Sequence, residues 1–365
     1  MKYWVFAVLA ASVLSTAGFA QPRHETVVEG LEFPWSLAFL PDGRMLVTEK
    51  PGRLRVIDET GLRAEPVSGV PDVLYSGQGG LMDVVLHPDF ATNQIIYLTW
   101  SEGEVRDNTL KLGRGRLDGM ALTGFEEIFA AQPRRNTNVH YGARLAFLPD
   151  NTLLLGIGDG FDHREEAQRP QTHYGSYVHL NADGSAIDGP FADAAPGVYT
   201  IGHRNPQAIA IDPATGIVYS NEHGPRGGDE INILVEGRNY GWPVATYGID
   251  YNGALVSPYS SYPGMEEPLL YWVPSIAPSS MAVYHGAIFP EWEGDLLVTA
   301  LIRGDAEVAS GHLRRIDLED GEIVGQDVLL GDVEARMRFV TVAPDGTIYL
   351  LTDEPEGQLI RLTRD

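Results

Sequence analysis

The 365-residue chain contains no cysteine, which excludes disulfides, thiolate nucleophiles, covalently attached haem and cysteine-type zinc sites. Lysine is almost missing too. Only Lys2, Lys50 and Lys111 occur, and the rest of the 26 basic residues are arginines, the side chain suited to gripping planar carboxylates bidentately. Positive charge as a whole is scarce: Asp and Glu number 50, and the formal net charge is −24. Such a field repels nucleic acid and anionic membrane surfaces and favours bound cations. The sequence also has no Gly-x-Ser-x-Gly nucleophile elbow, haem motif or flavin fingerprint, so any electrons released in a reaction must pass to an external acceptor.

The one long apolar stretch is at the start. Lys2 supplies a positive n-region, Tyr3 to Leu14 an apolar h-region, and Gly18-Phe19-Ala20 a small-x-small cleavage pattern. Residues 1 to 20 therefore read as a signal peptide, with no stable membrane insertion after cleavage and a periplasmic or secreted mature chain. The remaining residues, 21 to 365, show no linker-like break and are predicted to form one domain.

What the chain does have is a repeated phrase: an apolar run, a Pro followed closely by Gly or Asn, and a second apolar run. It occurs at Ala38 to Val47, Val84 to Leu98, Leu145 to Leu155, Ala208 to Tyr219, Ala287 to Val298 and Val340 to Leu350. Pro fixes φ, Gly or Asn permits the reversal, and the flanks suit strands, so each phrase predicts a hairpin. Six hairpins at propeller-like spacing predict an all-β, six-bladed β-propeller of four-stranded antiparallel blades. Such a ring gathers loops from distant parts of the chain around one channel mouth.

Several residues around these phrases could carry chemistry. His140 precedes the third phrase and Asp159 follows it, which places both at the same end of adjacent antiparallel strands. Asp159 could then orient the imidazole and leave its second nitrogen free to accept a proton; a lone histidine before a strand can equally be a surface cap. The run Gly224-Pro225-Arg226-Gly227-Gly228-Asp229-Glu230 exposes carbonyl oxygens beside carboxylates, which suits a hard cation such as calcium and equally suits an acidic surface loop. Arg336 and Arg338 alternate on an extended segment and point to one side, either at a solvated edge or around a shared anion. Ser279-Ser280, following Pro278, reads as a loop. The other histidines form no cluster at a zinc-ligand spacing.

Phe33-Pro34-Trp35, Gly77-Gln78-Gly79-Gly80-Leu81, His140 through Asp159, Gly202 through Gln207, Asp229-Glu230-Ile231-Asn232 and Asn239 through Pro243 together resemble the glucose/sorbosone dehydrogenases. These are soluble quinoproteins that bind pyrroloquinoline quinone (PQQ) with calcium. The resemblance spans nearly the whole chain after residue 20 and is strongest to the aldose sugar dehydrogenases. It implies oxidation of an aldose sugar to its lactone, with His140 as catalytic base and Asp159 orienting it. It further implies that Gln78, Arg204, Asn205, Arg336 and Arg338 hold the quinone and its carboxylates, and that Tyr251 lies over it. The carbonyls of Gly224 and Pro225 would bind the cofactor calcium, with Glu230 and Tyr240 at a second calcium. Trp272 matches a sugar-stacking residue.

Two positions depart from the glucose-specific pattern. Ile302 stands where a cofactor-binding Lys is found, leaving either Arg303 as its substitute or a less basic pocket, and Leu269 replaces an aromatic partner of Trp272. The departures point to a broad aldose range. A calcium-dependent lactonase, with carboxylates converging on a channel metal, and a non-enzymatic binding propeller are the alternatives from other classes.

Overall fold

The prolines and glycines of the repeated phrase do set hairpins, and successive hairpins are built out to four strands each. The computed structural model describes residues 22–364. The signal-peptide reading lies outside the described residues, among which no helix is long and apolar enough to cross a membrane.

The chain enters through β1 (Arg23–Leu31) and then lays down five sheets in order. Blade 1 is β2 (Pro34–Phe39), β3 (Met45–Glu49), β4 (Arg53–Asp58) and β5 (Gly61–Leu62). Blade 2 is β6 (Leu81–Leu86), β7 (Ile95–Glu104), β8 (Asp107–Asp118) and β9 (Ala121–Ala130). Blade 3 is β10 (Gly142–Phe147), β11 (Leu153–Ile157), β12 (Ser176–Leu180) and β13 (Val198–Ile201). Blade 4 is β14 (Pro206–Ile211), β15 (Val218–Glu222), β16 (Asp229–Ile233) and β17 (Leu270–Trp272). Blade 5 is β18 (Pro278–Val283), β19 (Leu296–Ala300), β20 (His312–Glu319) and β21 (Glu322–Leu329). Blade 6 is β22 (Met337–Val342), β23 (Ile348–Thr352) and β24 (Gly357–Thr363), completed by β1 as its outermost, antiparallel strand. The fold is thus the expected six-bladed propeller.

The fifth phrase is the exception to the hairpin reading. Its inner strand is β18, which includes Ser279 and Ser280, and the apolar run Ala287 to Phe289 is irregular. Pro278 is tolerated because it opens the strand. Phe289 is buried for another reason: its ring stacks on Trp292 at 4.2 Å and closes the end of the core.

Apolar side chains form six clusters, one at each junction between blades. Leu54, Leu81 and Leu98 sit between blades 1 and 2, for instance, and Leu31, Val47 and Leu351 between blades 6 and 1. Every blade therefore buries both faces against neighbours, which no isolated four-stranded sheet of this sequence could do.

The innermost strands β2, β6, β10, β14, β18 and β22 line the channel, and each has a bulge near its start where pairing to the next strand slips. Bulges re-aim side chains. The residues they free include Trp35, Met82, Asp83, Arg144, Gln207, Ser279 and Arg338, so the irregularity repeated six times furnishes much of the channel wall.

Arg144 lies across the channel. Its guanidinium donates to the carbonyls of Gln207 (2.7 Å) and Ser279 (2.9 Å), stands 3.5 Å from Asp83 and packs on the rings of Trp35 (3.8 Å) and Phe339 (4.8 Å). One side chain of blade 3 thereby touches the other five blades. Burial drops its pKa to about 10 despite the neighbouring Asp83 carboxylate.

Candidate active site

At the end of the channel where the inner strands begin lies a cavity of about 350 Å³, lined among others by Lys50, Gln78, Asn205, His223, Arg336, Arg338 and Asp353. A second cavity of about 300 Å³ is lined by Phe161, Arg164, Arg204, Trp242, Asp250 and Tyr251. His140 stands between these two sets of residues.

The backbone fixes His140 first. Its N–H donates to Gln78 Oε1 (2.7 Å), its carbonyl accepts from Arg135 (2.8 Å), and its φ of 53° turns the chain sharply before β10. Its ring then meets Asp159, just beyond the end of β11, with Nδ1 at 2.7 Å from Oδ1. Asp159 Oδ1 also accepts the N–H of Phe161 (2.7 Å), and Oδ2 accepts the indole N–H of Trp242 (2.8 Å). A carboxylate can only accept here, so Nδ1 carries the proton and Nε2 presents its lone pair.

Electrostatics keep this pair in its working form. Burial lowers the His140 pKa; Asp159 opposes this, while Arg204 lowers it further, and the net direction is down. For Asp159, burial pushes upward, but His140, Arg204 and the Phe161 N–H outweigh it and hold the carboxyl below its usual range. The dyad is a neutral imidazole beside a carboxylate, the arrangement of a general base with its orienting group.

The arginines converge as their alternation suggests, although around an internal anion that sequence reasoning missed. Arg338 Nη2 lies 2.7 Å and Arg336 Nη2 3.5 Å from Asp353 Oδ2. Asp353 Oδ1 and Arg338 Nε are buried with no hydrogen-bond partner among the described residues. Asn205 bridges the two sides: its Oδ1 accepts from Gly142 N–H (3.3 Å) and its Nδ2 lies 3.3 Å from His223 Nδ1. Arg204 donates to the carbonyls of His223 (3.1 Å) and Gly224 (2.6 Å) and reaches the Tyr251 hydroxyl at 3.4 Å. Tyr251, 58% exposed, stacks on Phe161 with 6.3 Å between ring centres.

The cation-binding residues are less uniformly placed. Oxygens of Gly227 and Gly228 crowd the space where a side chain at Gly224 would begin, so glycine is required there, and Pro225 lines the second cavity. In this conformation the Gly224 carbonyl is already engaged by Arg204. Behind it, a void of about 10 Å³, room for one small occupant, is lined by Glu222, Gly224, Glu230, Tyr240 and Thr246. Burial, with Glu222 alongside, raises the Glu230 carboxyl well above its usual value. The Tyr240 hydroxyl cannot serve as a ligand, since it donates to the Ile233 carbonyl (2.6 Å) and accepts from Val235 N–H (2.9 Å). Only its carbonyl is available. Among the described residues no group of three or more His, Asp and Glu side chains is placed to hold a metal, so a cation here would need main-chain oxygens beside the Glu230 carboxylate.

Two expectations need correcting. Trp272 is 3% exposed, packs in the core between blades 4 and 5 and donates its indole N–H to Gln326, so it has no face for a sugar. The three-residue strand β17 turns Tyr271 outward instead, stacked on Tyr247. Arg303 is exposed and outside the cavity lining, whereas Lys50, which sequence reasoning passed over, lies within it. Trp242 and Asp353 were also missed; their contacts come from blades distant in sequence.

Residues 31–361 match the family model described as Glucose / Sorbosone dehydrogenase. The chain is 39% identical to aldose sugar dehydrogenase YliI of Escherichia coli over 371 residues, covering 98% of each chain. It superposes on the apo-form structure of the soluble E. coli aldose sugar dehydrogenase with a TM-score of 0.88 at 38% identity, covering 94% of this chain and 100% of the other. It also superposes on the PQQ-bound aldose sugar dehydrogenase of Streptomyces coelicolor with a TM-score of 0.74 at 26% identity, covering 94% and 99%. By sequence along nearly its whole length and by fold, the chain belongs to the glucose/sorbosone dehydrogenase family, a family of oxidoreductases.

Proposed function

We propose that this protein is a PQQ- and calcium-dependent aldose sugar dehydrogenase that oxidises the anomeric carbon of aldoses and delivers electrons to an external acceptor. The observation that carries the proposal is the buried His140–Asp159 pair beside a cavity whose charged wall is cationic. Gln78, Asn205, Arg336 and Arg338 would hold PQQ in this cavity, and with its calcium it would supply the hydride-accepting chemistry. Lys50, Arg336 and Arg338 face a single carboxylate, Asp353, so the wall has two positive charges in excess in a chain of net charge −24. That excess and the unpartnered Arg338 Nε and Asp353 Oδ1 suit a planar, polar polyanion.

The chain's own residues account for the rest. His140 Nε2 takes the proton of the anomeric hydroxyl as hydride departs, and Asp159 steadies the imidazolium that forms. Trp242 and the Phe161 N–H hold Asp159 in register, so the base needs no reorientation during the step. The sugar loses one proton and one hydride and becomes its lactone. A calcium-dependent lactonase would need several carboxylates converging in this cavity, and its lining offers Asp353 alone, already paired with arginine.

Dye reduction tests the proposal: metal-free apo protein is compared with protein given PQQ and calcium across a panel of aldoses. Activity only with both supports it, and absence of PQQ binding refutes it.

A further inference from the structure

We infer that Lys50, supplied by blade 1, is a cationic partner for the carboxylates of the bound quinone. This rests on the proposed function, because the group it would grip is PQQ.

The backbone of Lys50 is pinned at the top of the β3–β4 turn. Its N–H donates to Phe33 O (3.2 Å) and its carbonyl accepts from Leu81 N–H (3.0 Å). Phe33 holds a left-handed φ of 45°, and the Lys50 carbonyl occupies the space where a side chain at residue 80 would begin. Gly80, at φ 144°, is thus required by the lysine's position. Two motifs to which the dyad gives no role, Phe33-Pro34-Trp35 and the glycines before Leu81, therefore act together to fix where this amine stands.

The side chain is aimed as well as anchored. Lys50 Nζ sits 5.4 Å from the centre of the Phe33 ring and 6.0 Å from that of Tyr75, and no hydrogen bond or ion pair to the ammonium is found among the described residues. Asp353 is the carboxylate acting on it, and Arg338 and Arg336 already share that carboxylate. Lys111 shows the contrast: its ammonium is held by Glu127 (2.6 Å) and Glu102 (3.3 Å). A half-buried cation that stands near two rings, is repelled by two arginines and has no anion of its own gains from a ligand that brings one. Arg303 also lacks an anion among the described residues, but it is exposed, stands outside the cavity lining and lies over no aromatic ring.

Only two lysines occur among the described residues, so carbon-13 reductive methylation gives two side-chain signals, told apart by a Lys111→Arg variant. On the intact protein, PQQ added with calcium is expected to shift the Lys50 signal and raise its titration midpoint while Lys111 stays put. Lys50→Met is expected to weaken PQQ about 10- to 100-fold in a direct binding titration, with Lys50→Arg restoring part of the loss and Arg303→Ala changing it less than about threefold. If the unmodified protein binds PQQ but the Lys50 signal is unmoved, or Lys50→Met binds equally well, Lys50 has no such role. If the unmodified protein binds no PQQ, the proposed function itself falls.

Discussion

Replacing Asp159 by Asn tests the dyad most sharply, because every oxygen of that carboxylate is engaged. Oδ1 accepts from both His140 Nδ1 and Phe161 N–H, and Oδ2 accepts from the Trp242 indole. An amide has one oxygen for these three donors. If its oxygen stays at Oδ1, the NH₂ group faces the indole N–H, donor against donor, and a buried donor goes unpaired at a cost of about 1–3 kcal/mol. The tautomer survives, but the imidazolium loses its charged partner. A charge-assisted hydrogen bond contributes about 1.5–3 kcal/mol, or roughly 10- to 100-fold in rate. In the reverse orientation the NH₂ group points at Nδ1, which must then accept. The ring proton moves to Nε2 and the base is lost, an effect of about 10⁴-fold where the same exchange has been made in a catalytic triad. Asp159→Asn is therefore expected to lower kcat by at least about tenfold and to reduce stability. Steady-state dye reduction with saturating PQQ and calcium, paired with thermal unfolding, measures both. Activity within about threefold of the parent and an unchanged melting temperature would refute the reasoning.

Further expectations concern proton and charge balance. A base works when deprotonated, and burial lowers the His140 pKa, so the acid limb of kcat/KM should fall below about pH 6.5, the ordinary histidine value; a limb clearly above that would contradict a buried neutral imidazole. Glu230 has a raised folded pKa, so the folded apo protein binds more protons than the unfolded chain, and this site should destabilise it as pH rises from about 4.5 through the folded value. Calcium should cancel that loss, giving a melting-temperature gain that grows with pH and disappears in Glu230→Gln; a pH-independent gain would place the cation elsewhere. Arg144→Met leaves Asp83 buried without its cation and should cost about 3–5 kcal/mol, read by denaturant unfolding, whereas a loss below about 1 kcal/mol would mean that the hub is dispensable.

The propeller and the dyad were legible because both are local. Pro, Gly and apolar runs write every hairpin but the fifth into about ten to fifteen residues, and His140 and Asp159 flank one of them. Legibility ended where contacts cross blades. Trp242, on the segment joining β16 to β17, reaches Asp159 of blade 3, and Lys50 of blade 1 meets Asp353 of blade 6; no spacing along the chain announces either meeting. Trp272 was assigned by family resemblance alone, and its three-residue strand carries too little alternation to have shown that this residue faces the core. The bulges were invisible as well: they are slips of pairing, and the sequence at their positions is ordinary strand sequence.

The pairing of β1 with β24 joins residues more than 300 positions apart, Thr26 opposite Ile360 and His24 opposite Leu362. In time, the sixth blade is expected to be the last to form. Arg338 lies on its inner strand β22 and Asp353 just after β23, and the adjoining first blade carries Lys50, so the cationic wall should be assembled only when the two ends of the chain meet. Loop-closure entropy makes such long-range pairing slow. A newly made chain should therefore acquire a folded dyad well before it can retain an anionic cofactor, and cofactor capture would serve as the clock of ring closure.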